Sequence, residues 1–205
     1  MDLYSAANII IPCITLGVAL FTPGVSKILD RVLFFILGIS ILTETMGWLF
    51  TSWHQPNFFV YNLYMPFIFI TQNFLFFKLR QQKNKALMLS SAIIAIIWLV
   101  ELACAEGLNM MYFFYTYVAG ALILLVNVYA YIMSIMNSAD VVKIDKSRYF
   151  WVSIGILVFY IPFLPVMMGV KYSLVDAGIY RAIVFLLLIL LHISFIIGIR
   201  WGNRI

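Results

Sequence analysis

The sequence predicts an all-α integral membrane protein, a seven-transmembrane helix bundle built as a single domain over residues 1–205. Hydrophobic residues make up 65% of the chain and charged residues only 10%, whereas soluble domains contain about 25% charged residues. The apolar residues are grouped into runs of about 20, the length of helix that crosses a bilayer. Basic residues are concentrated in alternate connections between these runs, as is typical of multi-pass proteins.

Seven apolar segments follow one another along the chain, and turn-forming residues separate them. Pro23 and Gly24 follow the first segment, and Pro56 lies between the second and the third. The predicted segments are Tyr4–Phe21, Val32–Thr51, Phe58–Phe77, Ala86–Ala103, Met111–Met133, Tyr149–Gly169 and Ala182–Ile199.

The basic residues predict the orientation of the chain. Eleven of the 13 Lys and Arg residues lie in the connections after the first, third and fifth segments or beyond the seventh, and only Lys171 and Arg181 lie in other connections. Because cytoplasmic loops carry an excess of Lys and Arg, we expect the N-terminus outside and the C-terminus in the cytoplasm. Most of the net charge of +5 then lies on the cytoplasmic side, where anionic lipid headgroups of the bilayer are the expected neighbours of the basic residues. No nucleic-acid partner is expected.

Glu44 is the only charged residue between Val32 and Thr51. An ionised carboxylate at the centre of a membrane helix costs roughly 2.5–3.5 kcal/mol to insert, so such a residue marks a functional site by default. With the predicted orientation, Glu44 lies ~12 Å below the outer end of the second helix. A protonated Glu44 that only bonds a neighbouring helix is the structural alternative.

Other polar residues fall in the same outer half, which predicts an outward-opening ligand site. Pro162 and Pro165 distort the sixth helix there, because proline removes a backbone donor and leaves carbonyl groups unpaired. Each residue also has a structural interpretation: Glu101 as a solvated interfacial acid, the tyrosines as an aromatic belt, Asn62 as a contact between helices, and the prolines as packing. The predicted ligand-binding residues are Glu44, Asn62, Tyr64, Glu101, Tyr115 and Tyr160.

Several chemistries lack the residues they need. His54 and His192 are the only histidines, which excludes a three-histidine zinc site, and the segment Ala182–Ile199 has no lysine for a retinal Schiff base. No catalytic motif is present. The sequence therefore predicts neither a metal nor a cofactor, and it gives no support for an enzyme.

Three stretches resemble a family of small bacterial seven-helix membrane modules that are fused to, or encoded beside, sensor histidine kinases. These stretches are Leu42–Glu44 with Trp48, Tyr61–Phe67 and Arg148–Gly155. The resemblance extends from Leu33 to about Ile199, and it implies a bacterial cytoplasmic (inner) membrane location and a sensory role. Similar modules often carry an acid where this chain has Phe67 or Ile68, and this departure weakens the carry-over of a polar site on the third helix from the resemblance.

The predicted function is an orphan membrane sensor or receptor-like module that passes an external or intramembrane signal to a separate partner. No kinase, cyclase or DNA-binding domain accompanies the helices, so the partner is expected to bind the basic cytoplasmic loops 78–85 and 140–148. A small transporter or channel with Glu44 as its coupling carboxyl is the first alternative. A lipid-modifying membrane enzyme is the second.

Overall fold

The computed structural model describes residues 3–22, 28–80, 84–105, 112–137 and 144–201. These residues form seven α-helices and no β-strand, so the all-α prediction is confirmed and each predicted segment corresponds to one helix. The helices are α1 (Leu3–Leu20), α2 (Ile28–Ser52), α3 (Phe58–Leu79), α4 (Asn84–Cys104), α5 (Phe114–Met136), α6 (Arg148–Lys171) and α7 (Ala177–Trp201).

Three helices begin three or more residues from their predicted starts: α2, which begins at Ile28, four residues early, α5 and α7. Acidic side chains explain the starts of α5 and α7. Helix α7 begins at Ala177, five residues before the predicted start, because Asp176 accepts a hydrogen bond from the Gly178 N–H at 2.7 Å. Helix α5 begins at Phe114, three residues after the predicted start, where a carboxylate from α4 accepts hydrogen bonds from its first turn.

Among the described residues, five helices are long and apolar enough to cross a membrane: α2, α4, α5, α6 and α7. Helix α1 is also apolar but shorter. Helix α3 is of similar length, but Asn62, Gln72 and Asn73 reduce its hydropathy, and all three are buried. These properties define a helical, multi-pass membrane protein.

The chain divides into two compact units, and the division falls within α5. The central unit is Ile28–Asn127, and the terminal unit consists of Met1–Lys27 together with Val128–Ile205. The prediction of one domain over residues 1–205 stays a prediction.

In the terminal unit, α6 and α7 pack closely in antiparallel directions through small residues. A Cβ atom added to Gly155 would lie 3.0 Å from the Leu191 carbonyl oxygen, and one added to Gly198 would lie 2.7 Å from the Arg148 carbonyl oxygen. Ser194 and Gly198 are four residues apart on α7, the spacing that lets membrane helices approach closely. These glycines therefore allow the two backbones to come into contact.

Helix α1 packs on α7 in the same unit, and two contacts show that the two helices run parallel. The rings of Tyr4, at the start of α1, and Phe185, in the first half of α7, have centroids 5.8 Å apart. Further along both helices, Thr15 contacts His192.

Helix α3 is the core of the central unit, with α2 and α4 packed against it. Its contacts with α5 include the Phe69 ring, which lies directly on Gly120 and edge-on to Tyr117 with ring centroids 5.5 Å apart. Gly120 has no room for a Cβ atom, because that atom would overlap the Phe69 ring. The large, buried Phe69 side chain on α3 therefore requires a residue without a side chain at this position of α5.

Candidate functional site

Five of the six predicted ligand-binding residues lie in the central unit, and the sixth, Tyr160, lies in the terminal unit. Contacts within the central unit bring together the C-terminal ends of α2 and α4 with the N-terminal ends of α3 and α5. We call this the Glu44 end of the central unit. The opposite end contains the last turns of α3 and the first turns of α4.

Glu44 on α2 is hydrogen-bonded to Tyr61 on α3, whose hydroxyl lies 3.2 Å from the Glu44 Oε2 atom. Both side chains are only partly buried. A phenol donor in an apolar setting stabilises a carboxylate oxygen, and it leaves the carboxyl group with further acceptor capacity. The pair can therefore hold one hydrogen bond between helices and still engage a proton, a cation or another donor.

Gly47 explains how Tyr61 reaches Glu44. It lies three residues after Glu44 on the same face of α2, and a Cβ atom added to it would be only 2.5 Å from the Tyr61 hydroxyl oxygen. The ring of Tyr112 lies edge-on to Tyr61 and to Phe58, with centroid distances of 5.8 and 4.6 Å. Glu44 is thus joined to an aromatic cluster formed by Phe58, Tyr61 and Tyr112.

Tyr64 on α3 also contacts α2, through Ser40. Its hydroxyl lies 2.8 Å from the Ser40 hydroxyl, which in turn donates to the Ile36 carbonyl oxygen at 2.8 Å. Since the Ser40 proton is directed to Ile36, Tyr64 donates to Ser40. Tyr61 and Tyr64 therefore form successive hydrogen bonds between α3 and α2, one near Glu44 and one four residues earlier on α2.

Asn62 is fully buried and accepts hydrogen bonds from two other parts of the unit. Its Oδ1 atom accepts from the Phe113 backbone N–H at 3.0 Å, just before α5 begins. Its backbone carbonyl accepts from the Trp98 indole N–H at 2.8 Å. Pro66, four residues later, has no N–H with which to satisfy that carbonyl within α3, so Trp98 supplies the missing donor. These contacts are structural.

Glu101 caps the N-terminus of α5 from the end of α4. Its two carboxylate oxygens accept hydrogen bonds from the backbone N–H groups of Tyr115 and Thr116, at 2.8 and 2.7 Å. Helix N-termini have unsatisfied N–H groups and a partial positive charge, which favour a carboxylate at this place. Tyr115 takes part in this contact through its backbone, while its side chain is exposed.

A second polar cluster occupies the opposite half of the central unit. The Asn127 amide donates to the Asn73 Oδ1 atom at 2.7 Å, and the Arg80 guanidinium lies 3.5 Å from the Asn127 Oδ1 atom. Asn73 also donates to the Phe69 carbonyl oxygen in its own helix at 2.8 Å. These residues connect α3 to α5 through polar side chains.

In the terminal unit, Tyr160 is buried in α6, and its ring packs edge-on against Phe159 with centroids 5.1 Å apart. Pro162 and Pro165 lie inside the same helix, as predicted, and Pro165 is exposed. Tyr160 therefore lies in the proline-containing part of α6. The other five predicted ligand-binding residues lie in the central unit.

The predicted ligand-binding residues did not include Tyr61, the described partner of Glu44. Gly47 was the signal that identifies Tyr61, because a glycine on the Glu44 face of α2 leaves space for a large side chain from a neighbouring helix. Trp98 was also missed. Its role follows from Pro66, since a proline within a buried helix leaves one carbonyl that requires an external donor.

The described residues contain no group of three or more His, Cys, Asp or Glu side chains placed to hold a metal ion. In comparisons with known proteins, no protein-family model, no curated protein and no solved structure matches this chain.

Proposed function

We propose that the protein is a receptor-like sensory module of a bacterial cytoplasmic membrane, with seven spans, an external N-terminus and a cytoplasmic C-terminus. The Glu44–Tyr61 pair receives the signal at the outer side. The basic loops 78–85 and 140–148, parts of which lie outside the described residues, transmit it to a separate protein. The resemblance to modules associated with histidine kinases supports the same proposal.

The observation that carries the proposal is the partial exposure of Glu44 within a membrane helix. Glu101 and Asn62 accept hydrogen bonds from backbone N–H groups at or near the start of α5, whereas the described hydrogen bond of Glu44 is with a side chain, the Tyr61 hydroxyl, and Glu44 is partly exposed at the surface of its unit. A ligand or proton that engages Glu44 competes with Tyr61 and so alters the contact between α2 and α3. A receptor shifts between two arrangements through such differential contacts.

Transcript profiling of cells that carry Glu44→Gln tests the sensory role. Gln keeps the size and one acceptor oxygen of Glu44 but cannot be charged, so the variant is expected to hold the module in one state. Thr45→Val is the matched control, because the Thr45 hydroxyl bonds only the Ile41 carbonyl of its own helix among the described residues. The proposal requires a defined set of transcripts that changes in Glu44→Gln and in Tyr61→Phe but not in Thr45→Val, at equal protein abundance.

A proton-flux assay distinguishes sensing from transport. The purified protein is reconstituted in liposomes that contain a pH-sensitive dye, and a membrane potential is applied. A sensor gives the same dye response as empty liposomes. Proton or ion flux that is present in the wild type and lost in Glu44→Gln would establish Glu44 as the coupling carboxyl of a transporter and contradict the sensory role.

Cysteine labelling tests the proposed orientation. In a chain whose Cys13 and Cys104 have been replaced by serine, Gln55→Cys lies between α2 and α3, and Lys146→Cys lies just before α6. A membrane-impermeant maleimide should label Gln55→Cys in intact cells and Lys146→Cys only after permeabilisation. The reverse pattern would invert the topology.

A further inference from the structure

A groove lies at the end of the central unit opposite Glu44, where the start of α2, the last part of α3 and the start of α4 meet. Its volume is about 430 Å³, which is within the range of roughly 300–1,000 Å³ for small-ligand sites. It is lined by Arg31, Val32, Phe35, Ile70, Thr71, Phe74, Leu87 and Ser91.

The wall of the groove is mostly apolar, and polar atoms make up only a small part of its surface. The Thr71 hydroxyl donates to the Phe67 carbonyl oxygen of its own helix at 2.7 Å. Phe35, on the wall of the groove, is 55% exposed. Such a surface favours a flexible apolar chain over a polar solute.

Basic side chains surround this apolar wall. Arg31 is exposed on the groove and makes no hydrogen bond or ion pair with the described residues. The Lys78 ammonium lies 5.5 Å from the ring centroid of Phe74, which itself lines the groove. Lys85 is exposed two residues before Leu87, while Asp30, the acidic neighbour of Arg31, is buried. The groove therefore combines an apolar wall with a positively charged margin.

We propose that this groove binds one anionic phospholipid, with an acyl chain against Phe35, Ile70 and Phe74 and the headgroup phosphate near Arg31 and Lys78. Basic pockets between membrane helices on the cytoplasmic side are suited to acidic headgroups. Arginine is well suited to phosphate because its planar guanidinium donates two parallel hydrogen bonds. This site is separate from Glu44 and does not depend on the sensory role.

Native mass spectrometry of the full-length protein tests the lipid site. The protein is titrated in detergent with phosphatidylglycerol and, separately, with phosphatidylcholine that carries the same acyl chains. Wild-type protein should retain phosphatidylglycerol more strongly, and Arg31→Gln should weaken this binding about fivefold, the effect expected of one basic residue near acidic headgroups. Arg200→Gln removes the same charge from an exposed residue that does not line the groove, and should leave the affinity unchanged.

A second variant tests the apolar wall. Val32→Trp introduces a large ring into the groove and should reduce binding of both lipids, while Arg31→Gln reduces only that of phosphatidylglycerol. Equal affinity of the wild type for the two lipids would overturn the proposal, as would equal effects of Arg31→Gln and Arg200→Gln. A dimer mass that disappears with Val32→Trp, without any change in bound lipid, would assign the groove to a second copy of the chain and also overturn it. If Val32→Trp fails to fold, the comparison between Arg31→Gln and Arg200→Gln still decides.

Discussion

The Nδ1 atom of His192 lies 2.8 Å from the hydroxyl oxygen of Thr15, and this contact joins α7 to α1. The Thr15 hydroxyl also donates to the Ile11 carbonyl oxygen at 3.1 Å. Since a hydroxyl has a single proton, the Thr15 oxygen is the acceptor from His192, and the imidazole proton is assigned to Nδ1. His192 is therefore a buried helix-to-helix contact with a defined tautomer.

Thr15→Val should destabilise the protein by about 0.5–2 kcal/mol, because the Nδ1 proton of His192 loses its acceptor inside the bundle. The free energy of unfolding can be measured by titration with a denaturing detergent in mixed micelles. Thr45→Val is the control, since the Thr45 hydroxyl bonds a carbonyl of its own helix. Equal losses of stability in both variants would show that the contact with His192 contributes nothing.

Glu101→Ala should destabilise the start of α5, because the N–H groups of Tyr115 and Thr116 lose their acceptors. Loss of a helix cap costs about 0.5–2 kcal/mol. Glu101→Gln retains one acceptor oxygen and should fall between wild type and Glu101→Ala. Hydrogen exchange at the Tyr115 and Thr116 amides is the direct measurement, and unchanged exchange in Glu101→Ala would refute the capping role.

Gly120→Ala should cost about 1–3 kcal/mol, because the added Cβ atom overlaps the Phe69 ring. Gly38→Ala is the matched control, since the space around Gly38 is open and alanine has the higher helix propensity. We expect Gly38→Ala to be neutral or stabilising. In the double variant Gly120→Ala/Phe69→Leu, the smaller side chain should recover part of the stability lost in Gly120→Ala. If the double variant loses as much stability as the two single variants lose together, this packing is contradicted.

Asn73 and Asn127 should show coupled effects on stability, because the Asn127 amide donates to the Asn73 side chain at 2.7 Å. In a double-mutant cycle with alanine at both positions, we expect a coupling energy of about 0.5–1.5 kcal/mol. A second cycle of Asn127→Ala with Thr45→Ala provides the comparison and should be additive within about 0.5 kcal/mol. Additivity in both cycles would mean that the two asparagines act independently.

The helices of this protein could be predicted because they depend on local properties of the chain. Runs of apolar residues of membrane-spanning length, separated by prolines and charges, identified all seven, and most ends were within a few residues. The start of α5 could not be predicted in the same way. It depends on Glu101, which belongs to another helix and approaches the Tyr115 N–H only after α4 and α5 have packed.

The partners of the polar residues were harder to predict for the same reason. Asn62 was predicted as a ligand-binding residue, and its contacts with Phe113 and Trp98 require the positions of three chain segments. The partner of Glu44 depends on how deeply Tyr61 packs over Gly47. Helix periodicity determines which face a residue occupies, but it does not determine which residue on the next helix lies at the same level.

The hydrogen bond from Trp98 to the Asn62 carbonyl gives this protein a built-in spectroscopic probe. Its indole proton is held by a carbonyl that Pro66 leaves without a helical donor, whereas the side chain of Trp53 is 62% exposed. In a sample with nitrogen-15 in its five tryptophans, the Trp98 indole signal should exchange slowly with deuterated solvent and that of Trp53 rapidly. A change at Glu44 that moves α3 against α4 would then be visible as a shift of one resonance, recorded without a ligand label or a cysteine substitution.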